Sequence, residues 1–273
     1  MTQAAKDAAA YIQKKHPNFT PKVGIILGSG LGAVVEELKD RIVIPYEEIP
    51  NFPNVTVKGH GGNLHLGKLY DTPVACYEGR IHLYEGTKSE DFKTFVRTLK
   101  LIGCDTLFVT NAAGSLNRDI PTGNLVLIKD HINFQFGSPL VGPNDDEFGP
   151  RFVGMDDVYD KELREKLLSA AQKCNAPLSE GVYVGVLGPA FETPAEIQML
   201  KTMGADVVAM SLIPEVIIAR HCDMRVVAVS AVSNLAAGLH DEKLSHEVTL
   251  RGAKQASTHL VALINEVFKQ EII

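Results

Sequence analysis

Apolar and polar positions along this chain fall into two alternating rhythms. Short runs rich in Val, Ile and Leu recur at 22–28, 105–114, 124–130, 181–188, 205–210 and 224–234. The segment "NLHLGKLYDTPVACYEG" (63–79) reads as two further strands joined by a turn around Asp71, Thr72 and Pro73. Between these runs, apolar residues return every three or four positions, which predicts helices over 2–15, 31–39, 90–101, 160–174, 194–203, 213–222 and 245–270. Pro194 and Pro214 stand near two of the helix starts, where a missing amide N–H costs little. Several strand runs are apolar throughout, as expected of central strands covered on both faces. Strands alternating with helices predict an α/β sandwich with a central mixed β-sheet flanked by helices. No Pro/Ser-rich linker, low-complexity block or internal repeat interrupts the pattern, so a single domain over 1–273 is expected.

In such folds ligands gather beyond the carboxyl ends of strands, so the residues that follow each strand carry the chemical information. "GSGLG" (28–32) turns tightly after the first strand; Ser29 and the following free N–H groups suit an anion, although a glycine turn without ligand has the same look. "TNAAGSL" (110–116) offers small residues and the Ala112 amide, or simply a packing turn. In "GPAFETPAE" (188–196), Phe191 can stack on a flat ring and Glu192 can accept from ring N–H groups, or Glu192 can serve the next helix N-terminus. Met210 and Ser211 end another strand, as lining or as core and cap. Asn234 offers a donor and an acceptor side by side, or an Asx turn. Ser245 is a natural cap that puts His246 on the first turn of the last helix.

"YEGRIHLYEG" (77–86) sets Arg80, His82 and Tyr84 at every second position. An extended segment sends alternate side chains to one face, so a fixed cation, an imidazole and a phenol would share that face. Ser29, Arg80, His82, the Ala112 amide and Ser211 are the donors a small oxyanion wants. Phe191, Glu192 and Asn234 suit a planar heterocycle with N–H and C=O groups. Tyr84, Met210 and His246 can flank something apolar on one side and hydroxylated on the other.

Composition narrows the field. The 273 residues are 45% hydrophobic and 22% charged, an ordinary globular balance, with a formal charge of −6. That sign argues against a general nucleic-acid binder, and it requires a local pocket to attract any anionic ligand. Cys76, Cys104, Cys174 and Cys222 lie far apart with no metal-finger spacing, so reduced thiols in a cytoplasmic protein are expected. The Ala-rich N-terminus lacks the apolar core of a signal peptide, and no apolar run reaches the ~18 residues of a membrane span, so no membrane partner is expected.

Taken together, "GSGLG", "GRIHLYEG", "TNAAGSL", "DHIN", "GPAFET", "GADVVAMSLIPEVIIARH" and "SNLAAG…LSHE" resemble, in order and spacing, the trimeric, 6-oxopurine-preferring purine nucleoside phosphorylases of bacterial type. The resemblance runs from about residue 20 to the C-terminus. It implies the nucleoside phosphorylase fold and reversible phosphorolysis of purine (deoxy)ribonucleosides to free purine and (deoxy)ribose 1-phosphate, a purine-salvage reaction. It implies a homotrimer, inorganic phosphate as co-substrate, and no metal or organic cofactor. By resemblance, Ser29, His60, Arg80, His82, the Ala112 backbone and Ser211 hold phosphate. Tyr84, Met210 and His246 line the sugar, and Phe152 closes the sugar site of a neighbouring subunit. Phe191, Glu192 and Asn234 hold the base, and His82, Glu192, Asn234 and His246 form the catalytic set. Glu85 is expected to organise the site by orienting a loop histidine. Leu212 and Leu235 depart from the residues frequent in that family, Leu235 removing a charged contact, and Leu187 supplies no polar group for a 2-oxo base, so inosine and guanosine are expected over xanthosine.

Overall fold

A computed structural model describes residues 3–57, 60–240 and 244–273. The elements in chain order are α1 (Gln3–Lys15), β1 (Val23–Leu27), β2 (Lys39–Pro45), β3 (Asn63–Leu69), β4 (Thr72–Glu78), α2 (Ser89–Ile102), β5 (Thr106–Ser115), β6 (Leu125–Phe134), α3 (Lys161–Lys173), β7 (Leu178–Val186), α4 (Pro194–Thr202), β8 (Val207–Ala209), α5 (Ile213–His221), β9 (Arg225–Leu235) and α6 (His246–Lys269). The strands form one mixed sheet in the order β2-β3-β4-β1-β5-β8-β7-β6-β9. β9 also pairs with β5, so the second half of the sheet curls into a closed ring of five strands.

Helices cover both faces, and the strands show why their apolar runs do not alternate. Ile26, Tyr77, Leu107 and Val109 pack with Phe92, Phe95 and Leu99 of α2 and Ile12 of α1. Their neighbours Ile25, Leu27, Cys76 and Phe108 pack on the opposite side with Leu260, Leu263 and Val267 of α6 and Leu163 of α3. Side chains that leave a strand in both directions must all be apolar when both directions lead into a core. A smaller core joins Ile197 and Leu200 of α4 to Val184 and Val208. Among the described residues no helix is long and apolar enough to cross a membrane.

Two expectations fail locally. The helix expected over 31–39 is a short 3₁₀ turn at Gly32–Glu37, and the chain then enters β2, which the apolar pattern does not reveal. β2 is an edge strand with charged residues at its start and a register irregularity between Lys39 and Ile42, features that keep sheet edges from pairing with other chains. β6 runs four residues past the expected 124–130, because its second half carries exposed Lys129 and Asp130 and no longer reads as an apolar run.

Candidate functional site

The parting of two strands opens the site. β5 pairs with β9 along its whole length. On its other edge it pairs with β1 only through Val109, and with β8 only from Gly114. Thr110 to Ala113 are thus left without a strand partner on that edge, and a cavity opens there with about 120 Å³ of space, several times what one water fills. This is the crevice that α/β sheets form where neighbouring strands diverge. "TNAAGSL" is therefore not a turn: the strand runs through it to Ser115. The first strand approaches so closely that a Cβ on Gly28 would lie 2.6 Å from the Asn111 Cα.

Of the residues singled out in the sequence, Ser29, Arg80, His82, Tyr84, Ala112, Phe191, Glu192, Met210, Ser211, Asn234 and His246 line this one cavity. Two do not. His60 sits behind Ser29 and reaches the cavity only through it. Phe152 stands 88% exposed, away from its own chain's cavity.

The segment "YEGRIHLYEG" is not one continuous strand. β4 stops at Glu78, Gly79 turns the chain at φ 110°, and extension persists only through His82 (φ −133°, ψ 152°). Leu83–Glu85 is a 3₁₀ turn, so Tyr84 reaches the cavity by folding back, its ring stacked on His82 at 4.6 Å between centroids. The turn also aims Glu85 at the imidazole: its Oε1 lies 2.8 Å from His82 Nδ1, while Oε2 accepts from the Thr56 hydroxyl at 2.5 Å. Burial pushes the Glu85 carboxyl up, but hydrogen bonds from His82 and Thr56 outweigh it and hold the group below its ordinary value. A carboxylate only accepts, so His82 carries its proton on Nδ1 toward Glu85. The histidine that Glu85 orients is thus His82 rather than His60.

His60 is fixed by the backbone. Its Nδ1 lies 2.9 Å from the Arg80 amide and 3.0 Å from the Arg80 carbonyl. Its Nε2 lies 2.7 Å from Ser29 Oγ, so the ring holds the Ser29 hydroxyl at the cavity edge. Burial, with the nearby His82 and Arg80 charges, pushes the His60 pKa down to about 4 and keeps the ring neutral. Lys58 and Gly59, the first residues of the "KGHGGN" loop, lie outside the described residues.

Arg80 is 1% exposed. Its Nη1 donates to Ser211 Oγ at 3.2 Å, and its Nε lies 3.1 Å from Glu215 Oε1. Ser211 does not cap α5. Leu212 adopts φ 75° and ψ −50°, and the Ile213 amide donates back to the Ser211 carbonyl at 2.9 Å, a γ-turn of the rare positive-φ kind. A leucine held there costs roughly 1–3 kcal/mol, and such strain concentrates at functional sites. Tyr183 clamps the turn: its hydroxyl donates to the Ser211 carbonyl at 2.7 Å and accepts from the Ser211 amide at 3.2 Å.

At the other end of the cavity, the α4 cap belongs to Thr193 and Glu196, which bond each other's backbone at 3.2 and 2.7 Å. Glu192 is left for the cavity, and burial, helped by Glu196, raises its pKa above the ordinary carboxyl value. Asn234 is not in an Asx turn. It lies in β9 opposite Gly114, at a register shift. Its Nδ2 donates to the Leu235 carbonyl at 3.0 Å, and its Oδ1 accepts from Ser233 at 2.8 Å. One amide hydrogen remains for a ligand. Ser245 caps α6 through the Val248 amide at 3.2 Å and sets His246 at the cavity rim.

Sequence reasoning missed Glu215 and Tyr183. Tyr183 is hidden inside an apolar strand run. Glu215 does leave a signal, the acid in the otherwise apolar start of "IPEVIIARH". Among the described residues, no group of three or more His, Cys, Asp or Glu side chains is placed to hold a metal ion.

Comparison with known proteins gives one answer. The Phosphorylase superfamily matches residues 22–269. "Purine nucleoside phosphorylase 1" of Bacillus subtilis is 43% identical over 270 residues, spanning 99% of this chain and 99% of that protein. The purine nucleoside phosphorylase of Mus musculus is 43% identical over 258 residues, spanning 92% and 89%. The crystal structure of the Schistosoma mansoni enzyme in complex with inosine superposes with a TM-score of 0.93 at 40% identity, covering 98% of this chain and 96% of that one.

Proposed function

The chain belongs to the phosphorylase superfamily and, within it, to the purine nucleoside phosphorylases, and we propose that its cavity divides into an anion end and a base end with the sugar between them. At the anion end, Arg80, Ser211, Ser29, His82 and the Ala112 backbone hold inorganic phosphate. At the base end, Glu192 accepts from the N1–H of a 6-oxopurine, Asn234 donates to N7, and Phe191 packs on the ring. Tyr84, Met210 and His246 line the pentose, with His246 near its 5′-hydroxyl. The convergence of Arg80 and Ser211 on one side and Glu192 and Asn234 on the other, in one cavity, carries this reading.

The chemistry follows from where charge moves. Breaking the N-glycosidic bond sends its electron pair to the purine and leaves positive charge on the pentose. The spare Asn234 N–H meets the negative charge that arrives at N7. Hydrogen phosphate below the sugar stabilises the cationic carbon and then forms the new C1′–O bond, giving pentose 1-phosphate; the proton it gives up balances the one the leaving purine takes. Groups fixed before the reaction cost no reorganisation when the charge appears, which is why such donors matter most in the transition state. None of these steps calls on a metal or an organic cofactor.

Inosine and guanosine are the preferred substrates, because Glu192 is an acceptor that matches the N1–H of a 6-oxo ring. A homotrimer completes the sugar site, with Phe152 of each subunit covering its neighbour; the exposure of that ring on its own chain supports this. The reaction serves purine salvage in the cytoplasm. A coupled assay on inosine, guanosine, xanthosine and adenosine, with and without phosphate, tests the reading. Product from inosine only when phosphate is present is expected. Hydrolysis without phosphate, or adenosine outpacing inosine, overturns it. Sedimentation of active enzyme as a monomer overturns the trimer.

A further inference from the structure

Glu215 is wholly buried in the first turn of α5, and neither of its carboxylate oxygens makes a hydrogen bond to the described protein. Among the described residues it forms an ion pair with Arg80, Nε lying 3.1 Å from Oε1 but not aimed along a hydrogen bond. Burying such a pair is a poor way to gain stability, since desolvation offsets the attraction and an apolar pair of equal volume often does as well. The helix N-terminus makes the charge tolerable there without explaining it. Its placement does explain it. Ser211 and Glu215 stand four residues apart, on either side of the strained Leu212 turn, and both engage the Arg80 guanidinium. Ser211 takes Nη1 and Glu215 faces Nε, while the buried Nη2 has no hydrogen-bond partner among the described residues. A guanidinium is a planar fork that recognises an oxyanion only in the right plane. The hydrogen bond to Ser211 and the Glu215 charge facing Nε together favour one plane for that fork.

We propose that Glu215 is a positioning residue that holds the Arg80 guanidinium in the plane in which it receives the phosphate co-substrate. It does not touch substrate; it acts through Arg80. The inference rests on the phosphate role given above to Arg80.

The test is steady-state phosphorolysis of inosine by the full chain, with phosphate and inosine varied independently, for the parent, E215Q and E215D. Glu215→Gln keeps the shape and removes the charge that faces Arg80 Nε, so the phosphate KM is expected to rise roughly tenfold or more as the guanidinium loses its buried counter-charge. The inosine KM at saturating phosphate should stay within about twofold, since Glu215 lies at the anion end of the cavity. Glu215→Asp keeps the charge but retracts it, and should give a smaller rise in the phosphate KM. A merely structural role predicts instead a fall in kcat through lost active enzyme, with both KM values unchanged. If E215Q does not accumulate as folded protein, E215D decides by the same measurement. A phosphate KM that is unchanged or lower in a folded variant overturns the inference alone. A parent enzyme that turns over inosine without phosphate overturns the phosphate reading, and this inference with it.

Discussion

The two ends of the cavity are built in opposite ways. At the anion end, Arg80 is 1% exposed and Glu215 wholly buried, and residues from β7, β8, α5 and the β4 exit hold one another through Tyr183, Ser211 and Arg80. At the base end, Phe191 is 39% exposed, and the bonds that order the loop are the local ones between Thr193 and Glu196. A charged ligand needs donors held in place away from water, because loose donors in water gain little. A flat base needs a slot it can enter and leave. The anion end is therefore held together by contacts within this chain, whereas the base end is left more open to solvent.

That contrast can be broken most severely at Arg80. Arg80→Met leaves Glu215 as a buried carboxylate with no counter-charge, which typically costs about 3–5 kcal/mol of stability on top of the lost phosphate contact. Urea unfolding and the phosphate dependence of turnover measure the two losses; a variant as stable as the parent would show that the anion end is not stitched by this pair. Asn234 tests the base end. Asn234→Ala should keep the fold and lower kcat by ~10²–10³-fold, as removal of a preorganised donor does. Single-turnover phosphorolysis of inosine is the measurement, and a loss confined to KM would mean that Asn234 only binds.

Glu192→Gln probes the open end. It should change stability by no more than about 0.5 kcal/mol, as substitutions outside the core do. It should lower kcat/KM for inosine by roughly 10–100-fold, the worth of a hydrogen bond to a charged group. Because burial raises the Glu192 pKa, the parent loses its ionised acceptor at a higher pH than an ordinary carboxyl would. The acid limb of kcat/KM for inosine should therefore lie above the ordinary glutamate value and vanish in Glu192→Gln.

A smaller effect distinguishes the ends by acid. The unfolded His60 ring takes a proton near 6.5, the folded ring only near about 4, so the unfolded state binds more protons between those values. The share of stability that comes from keeping the ring neutral is present above about 6.5 and is lost as pH falls toward 4, roughly 1–3 kcal/mol in all. His131 and His221, whose pKa values burial also lowers, act in the same direction. Melting temperature against pH should fall less steeply in His60→Gln than in the parent.

The sequence alone made clear the alternation of strands and helices, the two-sided burial of the central strands and most of the cavity lining, because those features are written in local periodicity and in which residues follow each strand. Ser29, Arg80, His82, Ser211, Glu192 and Asn234 could be named before any coordinates were known, each being a polar residue at or near the exit of an apolar run. The tertiary structure decided the rest. It broke the expected strand after His82 into a turn, so that Tyr84 stacks on the imidazole and Glu85 grips it. It set His60 behind Ser29 instead of on the cavity wall, and it brought Tyr183 and Glu215 against Ser211 and Arg80. The physical reason is range: a periodic pattern reports which face a residue turns to its own element's neighbours, whereas a contact such as Arg80 with Ser211, 131 positions apart, exists only once the sheet has closed and two distant strand ends share one crevice.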